Sequence, residues 1–161
     1  MKINYVKGDA TNPIVKDKTT TVIIPHVCNI NGGWGAGFVL ALSKKWKQPE
    51  QRYRQWFKDQ DDFVLGAIDM IQVEKNIYVA NMLAQSGYLS KDNPQPLDYY
   101  ALEQCMFQVA DWFVDMNVEI HGPMFGSLRS GGSWQIIEKM IEDYWVANGI
   151  PVTIYLWEGE K

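Results

Sequence analysis

The apolar positions of the chain fall into short clusters rich in β-branched residues and longer stretches with helical spacing. The clearest cluster, TTTVIIPHV at 19–27, predicts a buried strand. Further on, Phe38, Leu42 and Trp46 share one side of a predicted helix. Applied along the chain, the two patterns predict strands at 3–6, 19–27, 64–73, 76–82, 118–121 and 151–157, and helices at 38–46, 50–58, 98–116 and 134–147.

Strands and helices alternate along the sequence, which predicts an α/β fold with a mixed sheet between helix layers. No repeat, low-complexity tract or linker divides the chain, so residues 1–161 are expected to form one domain. Asp98 and Ser133 are candidate N-caps, and Pro49 favours the start of a helix. Sheets of this kind bind ligands where a strand ends in a loop that opens a helix.

The composition is that of a globular protein, with 47% hydrophobic and 21% charged residues. A formal net charge of −4 disfavours strong binding to nucleic acid. The sequence has no signal-peptide pattern and no apolar window of about 18 residues, so no membrane association is expected. Cys28 and Cys105 are expected to be free thiols in a reducing compartment. These features predict a cytoplasmic monomer without a metal or cofactor.

Two glycine-rich loops each follow a predicted strand and precede a predicted helix. Loop one, residues 29–37, reads NINGGWGAG, and loop two, residues 126–134, reads GSLRSGGSW. Glycines let the backbone approach a ligand, and the following helix adds the positive end of its dipole. The pair therefore indicates a ligand with two phosphates held from both sides. The alternative is that each loop is a structural turn whose glycines take positive φ.

The motifs in and around these loops resemble the macrodomain family over essentially the whole chain. They are GDAT at 8–11, HVCN at 26–29, GGWGAGF at 32–38, NMLAQ at 81–85, HGP at 121–123, and the glycines that lead to Trp134. The resemblance is closest to the branch that includes ADP-ribose 1″-phosphate phosphatases and terminal ADP-ribose hydrolases. It implies a three-layer α/β/α fold with a central mixed sheet, and ADP-ribose or ADP-ribose 1″-phosphate as the ligand.

The resemblance also implies ligand contacts at particular positions. Asp9, flanked by Gly8 and Ala10, would accept a hydrogen bond from the adenine amino group, and Asn29 would bind the distal ribose. Tyr155 or Trp157 would stack on the base. Main-chain groups of both loops would bind the phosphates, from Gly33, Trp34, Gly35, Ala36 and Gly37 on one side and from Gly126, Ser127, Leu128, Arg129, Ser130, Gly131 and Gly132 on the other.

Each side-chain assignment has a structural alternative that the residue types leave open. Asp9 could cap a turn and Asn29 could be a turn residue. Trp34, Tyr155 and Trp157 could belong to the core. His121, at the end of another strand, is expected to be structural.

His26 and Asn29 are the candidate catalytic residues, since the resemblance places both at the distal ribose, and His26 is the candidate proton carrier. A neutral imidazole there could activate water or protonate a leaving oxygen. The alternative is a buried histidine that is hydrogen-bonded to the backbone at the end of a strand.

Loop two departs from the family pattern. Ser133 replaces an aspartate, Leu128 replaces the middle glycine, and Arg129 adds a charge that could clamp a terminal phosphate. The hydrolase branch also uses a lysine where this chain has Ala84-Gln85. Hydrolysis of ADP-ribose 1″-phosphate is the leading expectation. The alternatives are a non-catalytic ADP-ribose reader and a hydrolase that removes ADP-ribose from macromolecules.

Overall fold

The computed structural model of the protein describes residues 1–112 and 117–157. These ranges contain a series of strands and helices in nearly the order that the apolar pattern predicts. The strands are β1 (Asn4–Lys7), β2 (Thr21–Asn29), β3 (Ile68–Glu74), β4 (Ile77–Gln85), β5 (Val118–Gly122) and β6 (Val152–Leu156). The α-helices are α1 (Phe38–Lys45), α2 (Gln48–Asp59), α3 (Tyr99–Trp112) and α4 (Trp134–Tyr144), and short 3-10 turns cover Leu128–Ser130 and Val146–Asn148.

The six strands form one mixed sheet in the order β1-β6-β5-β2-β4-β3. All neighbouring pairs are parallel except β3 and β4, which form the antiparallel hairpin that the turn at 74–76 predicts. The two longest strands, β2 and β4, are buried along almost their whole length. This is expected for central strands that are covered on both faces.

Two apolar layers pack on opposite faces of the sheet. Val22 and Ile24 point to the layer that contains Leu42 of α1 and Tyr53 of α2. Ile23, between them, points to the layer built by α3 and α4. The alternation along β2 therefore produces the predicted three-layer α/β/α architecture.

Several element ends differ from the sequence prediction. Residues 64–67 precede β3 as a turn, held by a hydrogen bond from the Gly66 amide to the Leu83 carbonyl. The helix predicted at 134–147 ends at Tyr144, and a separate 3-10 turn follows it. The predicted Asp98 cap is confirmed, because its Oδ1 accepts from the Ala101 amide at 2.9 Å. Ser133 makes no side-chain cap. The end of the helix predicted to reach Met116 lies outside the described residues.

Both cysteines are free and buried. Within the described ranges, no helix has both the length and the apolar character that crossing a bilayer requires.

Candidate functional site

The candidate site lies at the carboxyl edge of the parallel strands. β2 and β5 are neighbours in the sheet, so loop one after β2 and loop two after β5 begin side by side. α1, after loop one, packs on one face of the sheet, and α4, after loop two, packs on the other. The loops therefore diverge to opposite faces and leave a crevice, which is the usual ligand position in such sheets.

A cleft of two adjoining cavities fills this crevice, with volumes of about 290 and 330 Å³. Loop two, His26 and Trp157 line the first cavity. Asn29, loop one and the chain after β4 line the second. The residues shared by both cavities are Val27, Ala36, Val39, Gln85 and Arg129. The two glycine loops thus face a common space, as the sequence predicts.

Loop one presents main-chain N–H groups to the cleft. Gly37 precedes α1 with φ 83° and ψ −146°, a conformation open essentially to glycine alone. No side chain caps this helix start, and α1 has no acidic residue in its first turn. The amides of Gly35, Ala36 and Gly37 have no acceptor among the described residues. These donors and the helix dipole favour an anion at this point.

Loop two is a tightly folded turn that depends on its glycines. Gly126 and Gly131 have φ 78° and 72°. A Cβ on Gly132 would lie 2.4 Å from the Gly126 carbonyl oxygen, so no larger residue fits there. Leu128 has φ 54° although it is not glycine, and it replaces the glycine that the family pattern has there. Within the described ranges, the amides of Gly126 and Ser127 have no acceptor.

Arg129 reaches from loop two to loop one. Its Cδ lies 3.1 Å from the position that a Cβ on Gly37 would occupy, and the residue lines both cavities. No carboxylate of the described chain pairs with it. An exposed guanidinium without an acidic partner, beside free amides, is suited to bind phosphate.

The polar groups of Asn29 bind the protein itself. Its Nδ2 donates to the Gly87 carbonyl at 2.7 Å, and its Oδ1 accepts from the Gly87 and Asn31 amides at 3.0 and 3.1 Å. Asn29 lines the second cavity but is buried. The sequence leaves two roles open for Asn29, a contact with the ribose and a turn residue. The hydrogen bonds that its side chain makes within the protein are those expected of a turn residue.

His26 is 2% exposed, and its Nε2–H donates to Asn81 Oδ1 at 2.5 Å. Its ring packs edge-on against Trp34 at 5.4 Å between centroids. Burial lowers the pKa of His26 to about 4, and the hydrogen bond to Asn81 opposes this only in part. The histidine is therefore neutral at pH 7. It matches the alternative of a buried, hydrogen-bonded histidine, with a side-chain partner in place of the backbone.

Cys28 lines the second cavity, and its Sγ lies 3.7 Å from His26 Nε2. Burial raises the pKa of its thiol well above the ordinary value. A protonated thiol is a poor nucleophile, so this pair is not an activated cysteine.

The side chains predicted to contact the adenine are Asp9 and either Tyr155 or Trp157. Asp9 Oδ1 accepts from the Thr11 amide and hydroxyl, both at 2.8 Å, as in the alternative turn cap. Tyr155 is 2% exposed and hydrogen-bonds to His121 Nδ1 at 2.8 Å, so its ring has no free face for a base. This burial favours the core role that the sequence leaves open for Tyr155. Trp157 is partly exposed and lines the first cavity.

The remaining predicted residues either line one of the two cavities or lie outside both. Trp34 is buried, and its Nε1–H donates to Ser43 Oγ at 2.7 Å, yet the residue also lines the second cavity. Gly8 continues the pairing of β1 with β6 through a bond from its amide to the Leu156 carbonyl, so Asp9 follows at the carboxyl edge near Trp157. The predicted residues that line neither cavity are Gly8, Asp9, Ala10, Gly131, Gly132 and Tyr155.

The chain after β4 contributes cleft residues that the sequence reasoning did not assign. Tyr88 and Leu89 line the second cavity and are exposed. The Tyr88 hydroxyl lies 1.9 Å from the position of a Cβ on Gly33, so this side chain can lie against the backbone of loop one because residue 33 is glycine. The glycine and prolines of residues 86–96 predict an irregular segment. They do not indicate on which side of the sheet edge this segment folds.

No family model matches the chain. A solved structure of a macrodomain protein from Streptomyces coelicolor superposes with a TM-score of 0.83 at 44% identity, covering 96% of this chain and 99% of that one. A Bacteroides thetaiotaomicron protein superposes with a TM-score of 0.90 at 45% identity, covering 96% and 98%. An ADP-ribose 1″-phosphate phosphatase of Candida albicans is 26% identical over 157 residues, which cover 88% of this chain and 93% of the relative.

The three-layer α/β/α fold, with a cleft between two glycine loops, defines the fold class. The similarity to the Streptomyces protein defines the family. The chain belongs to the macrodomain family.

Proposed function

We propose that the protein binds ADP-ribose in the cleft between the two loops and hydrolyses ADP-ribose 1″-phosphate to ADP-ribose and phosphate. The proposal rests on the residues that line the two adjoining cavities, which are Gly35, Ala36 and Gly37 of loop one and Gly126 and Ser127 of loop two. Among the described residues, the amides of these five have no acceptor. Donors on two sides suit a diphosphate. The name of the Candida relative supports the monoester as substrate.

In the proposed reaction, water attacks the terminal phosphorus and the bond from phosphorus to the ribose oxygen breaks. Inorganic phosphate leaves, and a proton reaches the ribose oxygen. Arg129 and the loop amides would stabilise the charge on the phosphoryl oxygens, which is where such sites gain most of their rate. The Arg129 side chain lies beside Gly37, so it would bind an anion that rests on the start of α1.

The catalytic role of His26 stays a prediction and meets two physical obstacles. Nε2 is bonded to Asn81, and a base with a pKa of about 4 accepts a proton weakly at pH 7. We therefore expect His26→Gln, which keeps a donor for Asn81, to release phosphate from ADP-ribose 1″-phosphate within about threefold of the wild-type rate. A loss of roughly 100-fold or more, at the scale of general acid–base catalysis, would assign the proton transfer to His26.

The test of the proposal is calorimetry with ADP-ribose and with ADP-ribose 1″-phosphate, followed by a phosphate-release assay. Arg129→Ala should weaken binding of the 1″-phosphate by about 10- to 100-fold, the scale of a hydrogen bond to a charged group. Arg54→Ala is the matched control, because Arg54 is exposed and lines neither cavity. Absence of ADP-ribose binding by the wild type would overturn the proposal.

A non-catalytic reader of ADP-ribose is the second candidate, and a specific observation favours it. Within the described residues, neither cavity is lined by a carboxylate that could act as a base or nucleophile. Ser133 stands where the family pattern has aspartate. Tight ADP-ribose binding without phosphate release would select this function over the phosphatase.

We also propose that the protein acts as a cytoplasmic monomer that does not bind nucleic acid strongly. The free, buried thiols of Cys28 and Cys105 support a reducing compartment, and the net charge of −4 supports the absence of strong nucleic-acid binding. Light scattering after gel filtration tests the monomer.

A further inference from the structure

A chain of buried and partly buried hydrogen bonds joins the two loops beneath the cleft. Ser130 of loop two donates from Oγ to Gln85 Oε1 at 2.8 Å. Gln85 Nε2 donates to the Gly87 carbonyl at 2.9 Å. The same carbonyl accepts from Asn29, the first residue of loop one, at 2.7 Å. Both loops are thus connected through the end of β4.

The backbone of Gln85 makes the same connection a second time. Its carbonyl accepts from the Ile30 amide of loop one at 2.8 Å, and Gln85 pairs in an isolated bridge with Leu97. The Leu97 amide donates to the Ser130 carbonyl of loop two at 2.9 Å. Gln85 is therefore bonded towards both loops through its main chain as well as its side chain.

A register shift in the sheet places Gln85 at this point. Cys28 pairs with Leu83, but Asn29 pairs with Gln85, so Ala84 is an extra residue on β4. The Ala84 carbonyl leaves the ladder and accepts from the Asp98 amide at 2.8 Å. Bulges of this kind redirect a side chain, often next to a functional site. Here the bulge brings Gln85 to the floor shared by both cavities.

We propose that Gln85 is a positioning residue that fixes the distance between loop one and loop two, and so makes the cleft selective for ligands that contact both loops at once. Gln85 is 9% exposed and Ser130 is 6% exposed. The Ser130 hydroxyl and the Gln85 amide are bonded to each other, so their effect on a ligand passes through the loops. This inference rests on the proposed binding of ADP-ribose between the loops.

The experiment compares the wild type with Ser130→Ala, Gln85→Leu and the double variant. Ser130→Ala removes one hydroxyl, and Gln85→Leu keeps a side chain of similar length without polar atoms. Affinity is measured by calorimetry for ADP-ribose, and for AMP by competition, because the single phosphate of AMP does not span two loops. We expect Ser130→Ala, which removes one buried hydrogen bond, to weaken ADP-ribose binding about fivefold to tenfold. Gln85→Leu removes this bond and the bond to Gly87, so it should weaken ADP-ribose binding at least as much. Both variants should change AMP binding less than twofold.

The double variant should bind ADP-ribose no more weakly than Gln85→Leu, because that substitution already removes the acceptor of the Ser130 hydroxyl. Thr20→Val is the matched control for a purely structural loss. Thr20 is also buried, and its Oγ1 accepts from Asn117 Nδ2 at the opposite end of β2. The control should lower the melting temperature without changing either affinity.

Equal losses for ADP-ribose and AMP, additive losses in the double variant, or unchanged ADP-ribose affinity would each overturn the role of Gln85. AMP binding to the wild type as tightly as ADP-ribose would also contradict it. None of these outcomes coincides with failure of the proposed function, since that failure is a wild-type protein that does not bind ADP-ribose.

Discussion

At the scale of single residues, several polar side chains in and around the cleft are hydrogen-bonded to the protein itself. Asn29 binds Gly87, His26 binds Asn81, and Tyr155 binds His121. The groups that remain for a ligand are chiefly main-chain amides, together with Arg129 and the exposed part of Trp157. If ADP-ribose binds in this cleft as proposed, its recognition would depend on backbone geometry more than on side-chain chemistry.

Asp9 allows a turn role and a ligand role to be separated by one substitution. Oδ1 is used by Thr11, so the adenine contact expected from the family resemblance would fall to Oδ2. In Asp9→Asn the acceptor for Thr11 is kept and Oδ2 becomes an amide donor, which opposes the adenine amino group. We expect ADP-ribose affinity to fall by about 1–2 kcal/mol while unfolding stability stays within about 0.5 kcal/mol.

The control for Asp9 is Asp9→Ala, which also removes the turn contact and should lower both affinity and stability. Calorimetry with ADP-ribose and urea unfolding measure the two quantities. If Asp9→Asn binds as well as the wild type, Asp9 is only a turn cap.

At the scale of elements, the site depends on how each loop passes into the helix behind it. Gly37 has a backbone conformation that disfavours any side chain, and a Cβ there would approach Arg129. We expect Gly37→Ala to destabilise the protein by roughly 2–3 kcal/mol and to weaken ADP-ribose binding, because the start of α1 must shift. Urea unfolding and calorimetry provide the two measurements.

Gly149→Ala is the matched control for Gly37→Ala. Gly149 also has φ 83°, in the ordinary left-handed region, and no atom lies within 4 Å of an added Cβ. Gly149→Ala should lower the free energy of unfolding by about 1 kcal/mol and leave the affinity for ADP-ribose unchanged. Equal costs at the two positions would show that the ψ of Gly37 and its contact with Arg129 are unimportant.

The elements were predictable where the signal is local. The β-branched run of β2, the period of α1 and the glycines of both loops are each visible within a dozen residues, and all three are confirmed. The Asn81 partner of His26 is 55 positions away and the Ser130 partner of Gln85 is 45 away, so no local pattern indicates them. The bulge at Ala84 depends on pairing between strands and has no signature of its own in the sequence.

At the scale of the whole molecule, burial of His26 in the apolar layer beside Trp34 links folding to pH. The pKa of His26 is lowered from 6.5 to about 4, so between these values the unfolded chain binds a proton that the folded protein excludes. Stability should therefore fall as the pH drops through this window, by roughly 2–3 kcal/mol between pH 7 and pH 4.5. Urea unfolding at the two pH values measures this loss.

His26→Gln is the reference for that measurement, because it lacks the titrating ring but can still donate to Asn81. Other groups also contribute to the acid loss, and both proteins share them. Glu50 is one, since the hydrogen bond from Arg54 lowers the pKa of its carboxyl. The variant should show a shallower pH dependence than the wild type. Parallel curves would mean that His26 ionises equally easily in the folded and unfolded states.

The Arg129 side chain, which reaches Gly37 across the opening between the cavities, has a consequence for the kinetics of binding. A nucleotide that occupies both cavities would lie against this exposed side chain, and the guanidinium could fold over its phosphates. Dissociation would then be slow, because the guanidinium must leave the phosphates before the nucleotide can leave the cleft. The rate of dissociation, more than the rate of encounter, would then determine how long the nucleotide remains in the protein.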